Sequence, residues 1–192
     1  MIARFSGRMS SFFTERGIIL DSDREVYAYS FEVLIATVIN LLILLIVAVI
    51  SGTSLHTGIF LLGFIPLRLV AGGYHAKNHI RCFMIMMSSY AVFLLLLFHL
   101  PSVYETLFIV TFSLLSVILV VLMAPSDDVN KPLAMVDINR FKIISRLLVT
   151  GYAVIIIFLI IIPLNKIALS ITFGNLNVGL SLLANKIKQN HQ

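Results

Sequence analysis

Charged side chains are scarce in this chain: Asp, Glu, Lys and Arg make up 12% of its 192 residues, against 59% hydrophobic ones. That scarcity excludes an ordinary water-soluble domain, because too little polar surface exists to cover one. With a mean hydropathy of +1.04, the sequence reads as an integral membrane protein. Cysteine is nearly absent as well. The single Cys82 excludes an intrachain disulfide and any CxxC redox or zinc pair, leaving an apolar filler or a reactive thiol. No internal repeat or low-complexity segment stands out, and no loop is long enough to form a separate soluble domain, so residues 1–192 read as one membrane domain. The first 25 residues lack an apolar h-region followed by a small-residue cleavage site, so no removable signal peptide is expected. The net charge of +5 reads first as a topology signal, and no nucleic-acid partner is expected.

What is present is a succession of apolar runs. Phe31–Ile50, Phe83–Leu100, Tyr104–Ala124 and Leu147–Leu164 each match the roughly 20 residues that cross a hydrocarbon core. Two further runs are weaker: Leu55–Val70 is broken by Pro66 and Arg68, and Ile167–Ala184 is diluted by Gly174, Asn175, Asn177 and Gly179. Each is expected to be a short span or a re-entrant element, since irregular backbone at membrane depth needs cover from protein or water. Ahead of them, Ile2, Phe5, Met9, Phe12 and Phe13 recur at helical spacing with Arg4 and Arg8 on other faces, which predicts an amphipathic helix in the headgroup region within residues 1–25. Asp21 or Ser22 is the expected cap of the first spanning helix. The fold class is therefore all-α: a polytopic membrane protein with four full spans, two short or re-entrant membrane helices and an interfacial N-terminal helix. If successive loops alternate sides, thirteen of the fourteen Lys and Arg residues fall on one side and Lys166 alone on the other. That bias places both termini in the cytoplasm, where thiols stay reduced. Gly58, Gly63, Ser113 and Ser116 allow close helix contacts, either within the chain or in a homodimer.

The polar stretch from Arg68 to Cys82 interrupts this pattern on the cytoplasmic side, with Gly72-Gly73, His75, Lys77, His79 and Arg81 inside it. A thiolate is the nucleophilic form of cysteine, and Arg68, Lys77 and Arg81 supply positive potential that favours it, with a histidine to take the proton. Spacing leaves the choice of histidine open. On a continuous helix His79 lies one turn from Cys82, while His75 shares its face but sits about 10 Å away along the axis. His75 becomes the base only if the chain bends or the helix starts after it, and Gly72-Gly73 allows such a bend. The same glycines could turn backbone N–H groups toward an oxyanion. Two other readings use these residues: a packing cysteine with interfacial histidines, and a zinc site of His75, His79 and Cys82, which lacks the glutamate of an H-E-x-x-H motif. His56 and His99 fall near the opposite ends of the spans and are assigned no chemistry.

Arg68-x-x-Ala-Gly-Gly-Tyr-His-Ala, Cys82 seven residues after His75, and Ala124-Pro125-Ser-Asp-Asp-Val-Asn130-Lys131-Pro132 at the end of a span together resemble the AgrB-like accessory gene regulator family. The likeness extends over most of the chain, including its hydrophobic layout. The resemblance implies a bacterial plasma-membrane cysteine endopeptidase that processes AgrD-type precursors of cyclic autoinducing peptides and needs no metal or other cofactor. It assigns His75 as base and Cys82 as nucleophile, with Arg68, Gly72 and Gly73 in support.

In the second cytoplasmic segment, 125–146, Lys131, Arg140 and Lys142 are candidates to bind the acidic tail of such a precursor. Arg146, which borders a span, reads as a topology charge. Ser126, Asp127, Asp128 and Asn130 are candidates to orient the imidazole, because a catalytic base usually needs a third group to fix its tautomer. The competing function is a non-enzymatic peptide transporter, which should carry ionisable groups within its spans.

Overall fold

Six apolar helices long enough to cross a membrane account for most of the chain. The structure, a computed structural model, describes residues 2–74, 79–126 and 135–190, and every side chain among them except those at 2, 3, 79 and 135–137. The amphipathic helix α1 spans Ile2–Glu15, followed by a 3-10 turn at Asp21–Asp23. The six long helices are α2 (Arg24–Ile50), α3 (Ser54–Ala71), α4 (His79–His99), α5 (Ser102–Met123), α6 (Met135–Ile161) and α7 (Asn165–Asn190). Among the described residues the fold is all-α, and the chain is a multi-pass membrane protein. Short turns join α2 to α3, α4 to α5 and α6 to α7 at one end of the bundle, so the longer polar segments gather at the other.

The weakest apolar run proves to be the centre of the fold. In α7, 67% of the most apolar stretch is buried inside the protein, against 11% for α2. Its glycines and asparagines depress hydropathy because this helix faces other helices rather than lipid, and small residues are what allow helix backbones to approach closely. A Cβ on Gly174 would lie 2.6 Å from the Phe60 carbonyl oxygen, and one on Gly63 would lie 3.0 Å from that of Ile171. Gly179 instead meets a side chain, that of Leu119 in α5, whose Cδ1 would lie 3.1 Å from an added Cβ. Of the two alternatives expected for these runs, the structure has the span: α3 is an 18-residue continuous helix that runs through Pro66, and α7 is continuous as well, so neither is re-entrant. Gly63, Ser113 and Ser116 are used in packing within the chain, whereas Gly58 faces open space.

Around this crossing Phe60, Phe93 and Phe173 pack ring to ring, with centroids 5.1 Å apart for Phe60–Phe93 and 5.7 Å for Phe93–Phe173. Offset and tilted pairs of this kind add to the burial of large apolar surfaces. Helix α2 lies at the periphery, burying only Leu44 and Ala48. On it rests α1, with Phe13 stacked on Phe31 at 5.6 Å and the Ser10 hydroxyl donating to the Arg24 carbonyl at 2.6 Å. Phe5 and Phe12 stay exposed on α1, as an interfacial helix requires. The residue at the N-cap of α2 is Asp23 rather than Asp21 or Ser22, and it makes no side-chain capping bond, because the 3-10 turn takes up the preceding residues.

At the end with the short turns, one cation ties three helices. Lys166 Nζ lies 2.8 Å from Glu105 Oε1 and donates to the Leu97 carbonyl at 2.7 Å. Glu105 is buried, and among the described residues Lys166 is the cation that pairs with it.

Candidate functional site

At the opposite end, α3 stops where its geometry can no longer continue: Gly72 has φ of 71° and Gly73 of 130°, both in the region that favours glycine. The turn they form is closed by Arg68, on the last turn of α3. Its Nη1 donates to the Gly72 carbonyl at 2.6 Å and to the Ser181 hydroxyl at 2.7 Å, and its Nη2 donates to the Tyr74 carbonyl at 2.6 Å. Tyr74 is fixed a second time, because its N–H donates to both the carbonyl and the hydroxyl oxygen of Ser181, each at 3.0 Å. A planar guanidinium with donors in fixed directions suits this multiple grip better than a lysine would.

The end of α5 joins the same site. The Ser126 N–H donates to the Ala71 carbonyl at 2.9 Å, and Gly72 and Ser126 form a parallel bridge. The Asn185 side-chain amide donates to the Ser126 hydroxyl. Lys188 Nζ sits 5.3 Å from the centre of the Tyr74 ring. Ser181, Asn185 and Lys188 recur at the i, i+4, i+7 spacing that aligns residues along one helical face. One stripe of α7 thus receives both the segment after α3 and the segment after α5.

Cys82 lies in the first turn of α4 and is exposed. It is close enough to Arg68 for the thiolate and the guanidinium to attract each other.

The candidate residues read from the sequence are distributed as follows. Arg68, Gly72, Gly73 and Cys82 gather at one end of the bundle. His75 and Lys131 lie outside the described residues, as do Asp127, Asp128 and Asn130. Arg140 and Lys142 are exposed on the first turns of α6. His56, 3.5 Å from the Ser170 hydroxyl, belongs to the other end. Both terminal nitrogens of Arg68 are engaged by protein acceptors, so it is not a free cation. One expectation is corrected. The Gly72 N–H does not face an oxyanion, because it donates to the Arg68 carbonyl at 3.1 Å and closes α3.

What the glycines supply is room. A Cβ on Gly72 would come within 2.5 Å of the Ser126 carbonyl oxygen, and one on Gly73 would overlap Arg68 Nη1 and sit 2.6 Å from the Ser181 hydroxyl. Ser181 and Asn185 were missed in the sequence, since one lies inside and the other just after the run that reads as a diluted span. The available signal was two polar residues one turn apart at its C-terminal end.

The accessory gene regulator B family model matches residues 6–182 of this chain. No curated protein and no solved structure matches it.

Proposed function

This chain belongs to the accessory gene regulator B family, which takes part in autoinducing-peptide processing, and we propose that it acts there as a membrane-embedded cysteine endopeptidase on an AgrD-type precursor. The observation that carries this reading is the gathering, at one end of the bundle, of Cys82, the Arg68 guanidinium and the main chain of Tyr74, the residue immediately before His75.

In the proposed reaction His75 takes the Cys82 proton, and the thiolate attacks a precursor carbonyl. A C–S bond forms, the peptide C–N bond breaks, and the proton on His75 passes to the leaving amine of the C-terminal tail. The remaining acyl group is a thioester on Cys82. Attack by an internal Cys or Ser side chain of the precursor then releases a thiolactone or lactone and returns the thiol. Water competes for the same thioester, so formation of the ring requires that water be kept from it. Lys131, Arg140 and Lys142 are assigned to the acidic tail of the precursor.

Six crossings return the chain to its starting side, and the excess of basic residues assigns that side, with the site, to the cytoplasm of a bacterial cell. The ionisable residues Arg68, Glu105 and Lys166 stand near helix ends, which is not the arrangement expected of a transporter. The deciding experiment is precursor cleavage in proteoliposomes by wild type and Cys82→Ala. Loss of cleavage in the variant is expected, and undiminished cleavage would end the enzyme reading.

A further inference from the structure

Arg68, the segment after α3 and the segment after α5 have no common neighbour in sequence, yet all converge on two side chains of α7. Ser181 accepts from Arg68 Nη1 at 2.7 Å and, through its hydroxyl and carbonyl oxygens, from the Tyr74 N–H at 3.0 Å. Asn185, one turn further on, holds Ser126, whose own N–H returns to Ala71 at the end of α3. Ser181 therefore grips the backbone immediately before position 75 and, in the same contact, the Arg68 guanidinium.

We infer that Ser181 is a positioning residue for the Cys82–His75 pair, acting through Arg68 and the Tyr74 main chain, with Asn185 bracing the adjoining segment through Ser126. This rests on the peptidase reading for its catalytic consequence but not for its geometry. The physical reason is that Arg68 alone fixes only the carbonyl side of Tyr74. Without the Ser181 hydroxyl, Arg68 Nη1 loses one of its two acceptors and the Tyr74 N–H keeps only the Ser181 carbonyl. The turn that leads into position 75 then loosens. Misplacement of reacting groups by about 1 Å can cost on the order of a hundredfold in rate. A partial loosening is expected to cost about tenfold. Ser181 touches no reacting atom, so the loss should fall on kcat rather than KM.

The test uses the full-length protein in proteoliposomes with two readouts: precursor cleavage, and the rate at which a small neutral haloacetamide alkylates Cys82, the only cysteine present. Ser181→Ala is expected to lower kcat about tenfold with KM within about twofold, and to slow alkylation. Ser181→Thr, which keeps the hydroxyl, should restore both. Wild-type kcat and alkylation in Ser181→Ala would overturn the inference, as would a loss that Ser181→Thr does not recover. If Ser181→Ala fails to insert, Arg68→Lys decides instead. A single ammonium cannot serve Gly72, Ser181 and Tyr74 together, so both rates should fall, and unchanged rates would overturn the inference. If the wild-type protein cleaves no precursor, the peptidase reading fails while the alkylation rates still report on Ser181.

Discussion

Arg68 Nη1 lies 2.7 Å from the hydroxyl of Ser181, 113 residues away in sequence, and this contact fastens the end of α3 to the central helix. The guanidinium spans three acceptors with two nitrogens, which makes its shape as consequential as its charge.

Arg68→Lys keeps the charge and loses the fork. Precursor cleavage is expected to fall by at least about tenfold, roughly 1.4 kcal/mol of transition-state stabilisation, while membrane insertion is unchanged. Initial cleavage rates at saturating precursor, beside a detergent-solubilised size profile, check this. Cleavage at the wild-type rate would show that charge alone suffices.

Gly73→Ala tests the room beside that fork. The added methyl would overlap Arg68 Nη1, and the backbone at φ of 130° disfavours any side chain. Arg68 must leave its acceptors, so cleavage should drop about tenfold or more even if the variant accumulates normally in membranes. Gly58→Ala, at a position facing open space, should leave cleavage unchanged in the same assay.

Packing at the bundle centre predicts a stability effect rather than a catalytic one. Gly174→Val places its Cβ 2.6 Å from the backbone oxygen of Phe60, and backbone cannot swing aside as a side chain can. A loss of about 1–3 kcal/mol is expected from such overpacking. It would be read as a lower midpoint in denaturant titration of the purified protein, and an unchanged midpoint would contradict the assigned crossing of α3 and α7.

The ion pair at the far end gives a separable prediction. Lys166→Met leaves Glu105 buried without its cation, and because the lysine side chain is 39% exposed, solvent screens part of the cost. About 1–2 kcal/mol of destabilisation is expected, with much of it recovered in Lys166→Met/Glu105→Gln. An equal loss in single and double variants would show that the lysine contributes through packing alone.

The number of apolar helices was legible in the sequence because lipid-facing residues obey a simple length and hydropathy rule, as Phe83–Leu100 against the observed His79–His99 illustrates, whereas the polar first turns were not: α6 starts at Met135, well before the expected Leu147. The same rule misjudged α7. Thr172, Asn175 and Gly174 lower hydropathy, yet they are buried among helices, where lipid-transfer reasoning does not apply. The site was legible as a list of residue types from Arg68 to Cys82. Its assembly was not, because the partners that organise it, Ser181 and Asn185, are local only after folding. Arg68 shows the limit most clearly: a basic residue near a span end has the same sequence signature whether it points to phosphate or to a half-buried hydroxyl on a neighbouring helix.

The central claim, that Cys82 carries the acyl group, is tested most directly by mass spectrometry of the protein after brief incubation with precursor. A mass increase on the peptide containing Cys82, equal to the precursor without its C-terminal tail and removable by hydroxylamine, is predicted, with a stable ester at the same position in Cys82→Ser. Turnover of precursor with no adduct on residue 82 in either protein, together with full cleavage by Cys82→Ala, would contradict it.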